Sequence, residues 1–590
     1  MRRRASLWLA LLLAAPAAAG AQIDAPALPQ GQDDRFKALY TAEWAWRMAE
    51  ASGDDNADDA VSPHLPDVGE GAQAARLACW QEVERQLAAI DPAALTAENQ
   101  VNYAVYKAQI DALVADQQFR DYEKPLNSDS SFWTDLAYSA QASFHSEEDY
   151  RNYLGALSET PRYFDQEIAN MRAGLKRRFT PPRVTLEGRD ASIRQVIDRA
   201  RPEDSAYYAP FVALPASIPA DVQAALRREA VKVIRDDVIP AHRTLLAFFD
   251  KDYAPHARTS LAADALPDGA AYYRSKIAEY TTLDTTPDEI HRTGLEQVAA
   301  IHAQMVDIMK EVGFKGDFAA FLTFLRTDPR FYAKTPQDLL DRAAWEAKRF
   351  DGVAAQWFGH LPRSRFGIVK VPNEIAPFYT AGRGGPGVYL VNTYDLKSRP
   401  LFQLTALTLH ESAPGHAMQM PLAAENRDLP DFRRNTYISA YGEGWALYCE
   451  RLGVEMGMYD TPYDRFGYLS YQMWRAARLV VDTGIHSMGW TRERARQYLR
   501  DNTALSEHEI DTEVDRYISW PGQALSYYLG EMAIVEARAR AEKALGPKFN
   551  IRAFHDTVLA LGSVPLPVLT ARIDRFIAEG GVGPYPDEEN

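Results

Sequence analysis

The chain has 590 residues, of which 46% are hydrophobic and 25% charged, a balance that excludes a disordered, collagenous or multi-span membrane protein. Lys and Arg number 65 against 81 Asp and Glu, a formal charge of −16, which argues against nucleic acid and anionic membrane surfaces as partners because both are held through basic residues. The two cysteines, Cys79 and Cys449, are too few for a disulfide-built scaffold and are not expected to pair.

Residues 1–21 read as a secretory signal. Arg2, Arg3 and Arg4 precede an apolar run from Leu7 to Ala19, and Ala19-Gly20-Ala21 offers small residues where a signal peptidase reads. The run is too short to cross a bilayer comfortably, and no cysteine stands beside it to carry a lipid. Its removal takes the formal charge from −16 to −19 and places the protein in a periplasm or outside the cell. No later segment holds 18 uninterrupted apolar residues, so no stable membrane association is expected afterwards.

From Asp34 to about Phe350 the pattern is helical. The clearest case opens on the capping box Thr286-Pro287-Asp288-Glu289. Ile290, Gly294, Val298, Ile301, Met305, Ile308 and Val312 follow at three- and four-residue spacing, with Gly313 at the C-cap. Similar stripes occupy 35–51, 94–118, 147–175, 219–250 and 336–356, and breaks near 178–190 and 253–270 read as connections. A short acidic stretch runs from Asp54 to Asp59.

Between Phe366 and Asp395 the character changes. Gly367–Val371 and Gly387–Tyr394 are β-branched and aromatic, bounded by Pro and Gly. The glycines of Gly382–Gly387 precede a strand-like run instead of opening a helix, which excludes a dinucleotide loop. A hairpin beside the functional site is expected. Its strand Val388–Thr393 is read as an exposed edge that pairs with extended substrate, Tyr389, Asn392 and Tyr394 lining the cleft.

The chemistry concentrates after Leu401. His410-Glu411-Ser412-Ala413-Pro414-Gly415-His416 places two histidines around a Glu, as in the HExxH zinc motif, but six residues apart rather than four. On a regular helix that spacing sets them roughly 240° apart, too far around to share an ion. Pro414 and Gly415 supply the remedy, because Pro breaks the ladder and Gly tolerates unusual dihedrals. A third ligand comes from Glu443 in the apolar segment Tyr437–Gly453, where a buried, unpaired carboxylate would be expensive. Glu450, two turns on, is read as supporting the ligands and paired with Arg451 or Arg475. Glu411 is then free to act as general base. These residues match a catalytic Zn²⁺ site with three ligands and an open position.

Tyr527 is the first choice to donate a hydrogen bond to the oxyanion, because Trp520-Pro521-Gly522-Gln523 opens a helix presenting Gln523 and Tyr527 four apart. Tyr528 and His486 are alternatives. Arg475, Arg478, Asp482 and His486 form a further polar row, either a solvated or salt-bridged face or a place to bind a peptide terminus.

His410–His416, with Glu443-Gly444-Trp445-Ala446-Leu447-Tyr448 and Asp515–Gly530, resembles the bacterial "domain of unknown function 885" family over nearly the whole chain after the signal. That family is similar to the gluzincin metallopeptidases, including the angiotensin-converting-enzyme-like and carboxypeptidase Taq-like enzymes. The resemblance implies one mainly α domain over 22–590, a large helical clamshell with zinc deep in a cleft and a small β-sheet beside it. Many members carry a second His after the first; here that position is Ala417. The implied activity is zinc-dependent hydrolysis of short peptides, with exopeptidase action the working expectation. The same apparatus could instead cut a non-peptide amide or ester, or persist in an inactive peptide- or metal-binding protein. Oligomeric state is not legible.

Overall fold

The computed structural model describes residues 31–50, 61–128, 130–373 and 376–585. The signal expected at 1–21 and the acidic stretch Asp54–Asp59 lie outside the described residues. The protein is mainly α-helical with one small sheet, and no described helix is long and apolar enough to cross a membrane. Both cysteines are free and buried.

The chain divides into two compact units, one of described residues up to Ser260 with Ala265–Pro267, the other of Leu261–Asp264 and Asp268 onward. The first unit is built from amphipathic helices whose apolar stripes meet in an aromatic-rich core that includes Phe132, Trp133, Tyr150, Tyr153, Phe164 and Phe249. The stripe read over 219–250 is helical but not uniformly so. Wider π turns at Ile234–Val238 and Phe249–Tyr253 run into the segments that carry Pro240 and Pro255, residues without an N–H for the regular ladder.

The second unit holds the candidate site. Helix α1 (Pro287–Glu311) starts at the expected capping box and buries Ile290, Gly294, Val298, Ile301, Met305 and Ile308. After the sheet come α2 (Leu401–Glu411), α3 (His416–Glu425), α4 (Ser439–Glu455), α5 (Pro462–Ser487), α6 (Glu507–Ser519) and α7 (Ser526–Leu545). Helix α5 is the axis of this unit. Every residue from Phe466 to His486 is buried, so its polar side chains must find partners inside the protein. The row Arg475, Arg478, Asp482 and His486 is therefore no solvated face.

The sheet has three strands, β1 (Gly367–Lys370), β2 (Gly382–Gly385) and β3 (Val388–Val391), in the order β1-β3-β2. β3 pairs parallel with β1 and antiparallel with β2. This corrects the expectation that β3 is an open edge: the glycine-rich segment Gly382–Gly385 is itself a strand and fills the ladder beside it. Tyr389 and Asn392 are both fully buried and do not line a surface. The Tyr389 hydroxyl lies 3.3 Å from Thr408 Oγ1, and the Asn392 amide donates to the carbonyls of Ala376, Tyr379 and Thr380. Tyr394 is exposed.

Helices α4 and α7 cross where Gly444 meets Gly530. A Cβ on Gly530 would lie 1.9 Å from the Ala440 carbonyl oxygen, and one on Gly444 would lie 2.4 Å from the Gly530 carbonyl carbon. This close crossing brings Glu443 on one helix and Tyr527 on the other to the same region. Gly530→Val is expected to lower stability by about 1–3 kcal/mol through overpacking, read as a fall in the denaturation midpoint.

Candidate metal centre

Helix α2 stops at Glu411 and α3 starts at His416. The turn between them folds back on α2: the Gly415 N–H donates to the Leu409 carbonyl at 3.1 Å. A Cβ on Gly415 would lie 1.8 Å from the His410 carbonyl oxygen, so only glycine allows this approach. The turn is also held from α4, where the Trp445 indole N–H donates to the Pro414 carbonyl at 2.8 Å. The result brings the two imidazoles together, with ring centroids 5.0 Å apart and planes at 86°.

Glu443 reaches both rings. Its Oε2 lies 3.4 Å from His410 Nε2 and 3.4 Å from His416 Nε2. These separations exceed the 2.8 Å hydrogen bond between His410 Nδ1 and Glu450 Oε1. They match what a shared ion requires: zinc bonds of about 2.0–2.1 Å in tetrahedral array put neighbouring ligand atoms about 3.3–3.4 Å apart. His410, Glu411 and His416 each present a ligating atom within 4.8 Å of the others. Glu411 is the less suited of the two acids as third ligand, because its Oε2 accepts from the Gly384 N–H at 2.6 Å. A Cβ on Gly384 would meet the Glu411 backbone at 1.6 Å, so β2 presses on the end of α2 and fixes that carboxylate.

The electrostatics call for positive charge between the histidines. Burial opposes charge on His410, yet its contacts with Glu443 and Glu450 hold its pKa up to about 10. Burial likewise works against the Glu443 carboxylate, but the two histidines pull its pKa well below the usual range. A proton or a metal cation satisfies the same field. Glu450 is fully buried and receives Arg475 Nη2 at 3.3 Å, which selects Arg475 over Arg451 as its partner. Its acceptance from His410 Nδ1 leaves Nε2 directed at Glu443, an orientation that suits a metal ligand.

Three neighbours escape the sequence reading. Tyr437, just ahead of α4 and 44% exposed, donates to Glu443 Oε1 at 2.9 Å, leaving Oε2 to the histidines. Part of the ring faces solvent, but the enclosure of its hydroxyl end and the Glu443 charge beside it keep this phenol protonated, its pKa raised well above the ordinary value. Trp445 belongs to the conspicuous Glu443–Tyr448 run, but nothing in one sequence pairs an indole with a turn 31 residues earlier. Arg516 donates to Tyr527 Oη at 3.0 Å and Gln523 Oε1 at 2.9 Å, so the expected Gln523–Tyr527 face exists and a cation organises it. The Tyr527 ring stacks near His410 with centroids 6.5 Å apart. Tyr528 instead donates to Gln297. His486 is corrected outright: fully buried, it receives the Ala263 N–H at Nδ1 and lies 2.8 Å from the Tyr517 carbonyl at Nε2, so both nitrogens serve the backbone.

Two expectations follow. Trp445→Phe leaves the Pro414 carbonyl without its donor and is expected to cost about 1–3 kcal/mol, measured by denaturant unfolding. Glu531 on α7 is buried, and burial drives its carboxyl up to about 8 against the pull of Arg451. A folded-state pKa raised from 4.5 means stability is complete below the unfolded value and falls as pH rises towards the folded one. Glu531→Gln is therefore expected to be more stable than the natural protein by a margin that grows from pH 4.5 to 8 and then levels, read by thermal unfolding across pH.

The sequence matches the model of a family described as bacterial proteins of unknown function, DUF885, over residues 47–573. No curated protein matches the chain. Among solved structures it is similar to a protein from Colwellia psychrerythraea described as a "putative lipoprotein", with a TM-score of 0.87 and 25% identity over 93% of this chain and 100% of that one. A "putative lipoprotein of unknown function" from Shewanella oneidensis shares the fold at a TM-score of 0.64 and 17% identity, covering 92% of this chain and 99% of that one. With its match spanning nearly the whole described chain and including both histidines and all the acids around them, the protein belongs to the DUF885 family.

Proposed function

We propose that the protein is an exported zinc-dependent peptidase acting on short peptides, with His410, His416 and Glu443 as metal ligands and Glu411 as general base. The observation that carries this reading is the position of Glu443 Oε2, 3.4 Å from both imidazole Nε2 atoms, the spacing of adjacent vertices around a tetrahedral ion. Bound there, Zn²⁺ supplies Lewis acidity towards a carbonyl and lowers the pKa of a water.

The protein's own groups account for the rest. Glu411, fixed by the Gly384 N–H, takes a proton from the attacking water and passes it to the leaving amine. Tyr527 accepts from Arg516 at its oxygen, so its own O–H is left to donate to the developing oxyanion. Glu450 and Tyr437 hold His410 and Glu443 in place from behind. The likeness of the His410–His416 and Glu443–Tyr448 motifs to those of gluzincin peptidases supports the same chemistry by analogy. Both structural neighbours are described as lipoproteins, which supports an extracytoplasmic place, in line with the signal-like residues 1–21.

Glu411→Gln is expected to keep one zinc per molecule while lowering cleavage of a mixed-peptide library by about 10²–10⁴-fold, followed by mass spectrometry of products. His416→Ala is expected to lose stoichiometric zinc. Full cleavage by the first variant, or unchanged metal content in the second, would contradict this assignment.

A further inference from the structure

Beside the candidate centre lies a second cluster, of which the proposed chemistry uses only the hydrogen bond from Arg516 to Tyr527. Arg478 on α5 is almost fully buried, with Nε 3.0 Å from the Tyr517 hydroxyl and Nη2 2.9 Å from Glu513 Oε2. Its guanidinium lies 4.3 Å from the Tyr527 ring centroid and 4.4 Å from that of Trp474. Its remaining nitrogen, Nη1, is buried without a hydrogen-bond partner. Glu513 also receives Arg516 Nη1 at 3.5 Å, so this carboxylate is shared by two guanidiniums. Arg516 keeps 15% of its side chain exposed and touches Gln523 and Tyr527.

A buried arginine with an unmatched donor is costly to keep. Holding Tyr527 in place requires no more than the single bond from Arg516. The cluster does suit a ligand that brings a second carboxylate, since the planar guanidinium binds carboxylates in two-pronged fashion. Its location sets which carboxylate. The Tyr527 ring is 6.5 Å from the His410 ring and the Arg516 guanidinium lies 5.9 Å from the Tyr527 ring centroid. One or two residues of extended peptide, at about 3.5 Å each, bridge that separation from the metal centre once the contacts at both ends are added.

We propose that Arg516, backed by Arg478, forms a carboxylate-binding site next to the metal centre, selecting peptides that carry a free carboxylate one or two residues from the bond that is cut. The cutting rests on the peptidase reading above; the binding site rests on the arginines alone. The terminal carboxylate of a peptide and the side chain of an Asp or Glu offer the same chemistry, and the test separates them.

Tetrapeptides of neutral sequence are compared as free acids, as C-terminal amides, and as amides carrying Asp or Glu at one of the last two positions. Binding to the zinc-loaded Glu411→Gln protein is measured by calorimetry, and cleavage by the unaltered enzyme by mass spectrometry. The free acid is expected to bind at least ten-fold more tightly than the neutral amide, and Arg516→Gln to bring that ratio close to one, with Arg516→Lys intermediate. A purely structural role for Arg516 would weaken acid and amide alike and leave the ratio unchanged. Rescue of binding by an acidic side chain in an amidated peptide assigns the site to side chains; its absence assigns it to the peptide C-terminus. Equal binding of acid and amide, or no binding of either, overturns the carboxylate site. Acid-selective binding without any cleavage by the unaltered enzyme overturns the peptidase reading and leaves the carboxylate site standing.

Discussion

Everything at the centre depends on one interruption of a helix. Had α2 run on through His416, the second imidazole would have emerged from a different face of the rod, roughly 240° from the first. The backbone instead turns back so that the Gly415 amide reaches the Leu409 carbonyl, a contact that a single methyl group at position 415 would prevent. Breaking a helix leaves carbonyls and amides to satisfy, and local groups do so. Ser412 donates its backbone N–H and its hydroxyl to the Thr408 carbonyl, and Trp445 covers the Pro414 carbonyl from the neighbouring helix. The helix that contributes Glu443 therefore also clamps the turn that presents His416. Ligand geometry and turn geometry are set by the same helix packing, two residues apart on α4.

That economy is matched by a concentration of buried charge. Glu450, Arg475, Arg478 and Glu513 are withdrawn from water, where an ion pair seldom gains more than its desolvation costs. What such groups gain is position. Arg475 holds Glu450, which holds His410; Tyr437 holds the outer oxygen of Glu443; the Gly384 amide holds Glu411. His410, Glu443 and Glu411 are thus each fixed by a second group, the kind of support that keeps reacting atoms close to their working positions, whereas His416 Nδ1 is buried without a hydrogen-bond partner and its ring is placed by the turn at Gly415.

Much of this is legible in the sequence, and what is not has a common cause. Helix α1 can be read residue by residue because a capping box and a 3.6-residue stripe are local signals. The need for distortion between His410 and His416 is legible because spacing alone forbids a regular helix there, and Pro-Gly names the means. The place of β3 inside the sheet is hidden because Gly382–Gly385 lacks the branched and aromatic residues that mark a strand; the pairing of that glycine segment is decided by β3 and by the packing of Gly384 on Glu411, neither of which is local. The α5 row is open to reading as a solvated face because its partners, Glu513, Tyr517, Tyr273 and Ala263, come from other elements. Periodicity reports which residues share a face, not what covers it.

The overall charge of −16 bears on the arginine cluster in a way that composition alone conceals. At physiological salt the net negative charge of a protein this acidic is largely screened from an anionic ligand more than roughly 8 Å away. Inside that distance the local groups decide, and there the guanidiniums of Arg478 and Arg516 stand against the Tyr527 ring, with His410 stacked near the same ring. A buried guanidinium and a partly exposed one that share a single carboxylate leave room for a second carboxylate, which is held best when the remainder of the ligand supplies contacts of its own. For a peptide those contacts are its backbone and side chains, so selection would act on the whole molecule instead of on charge alone.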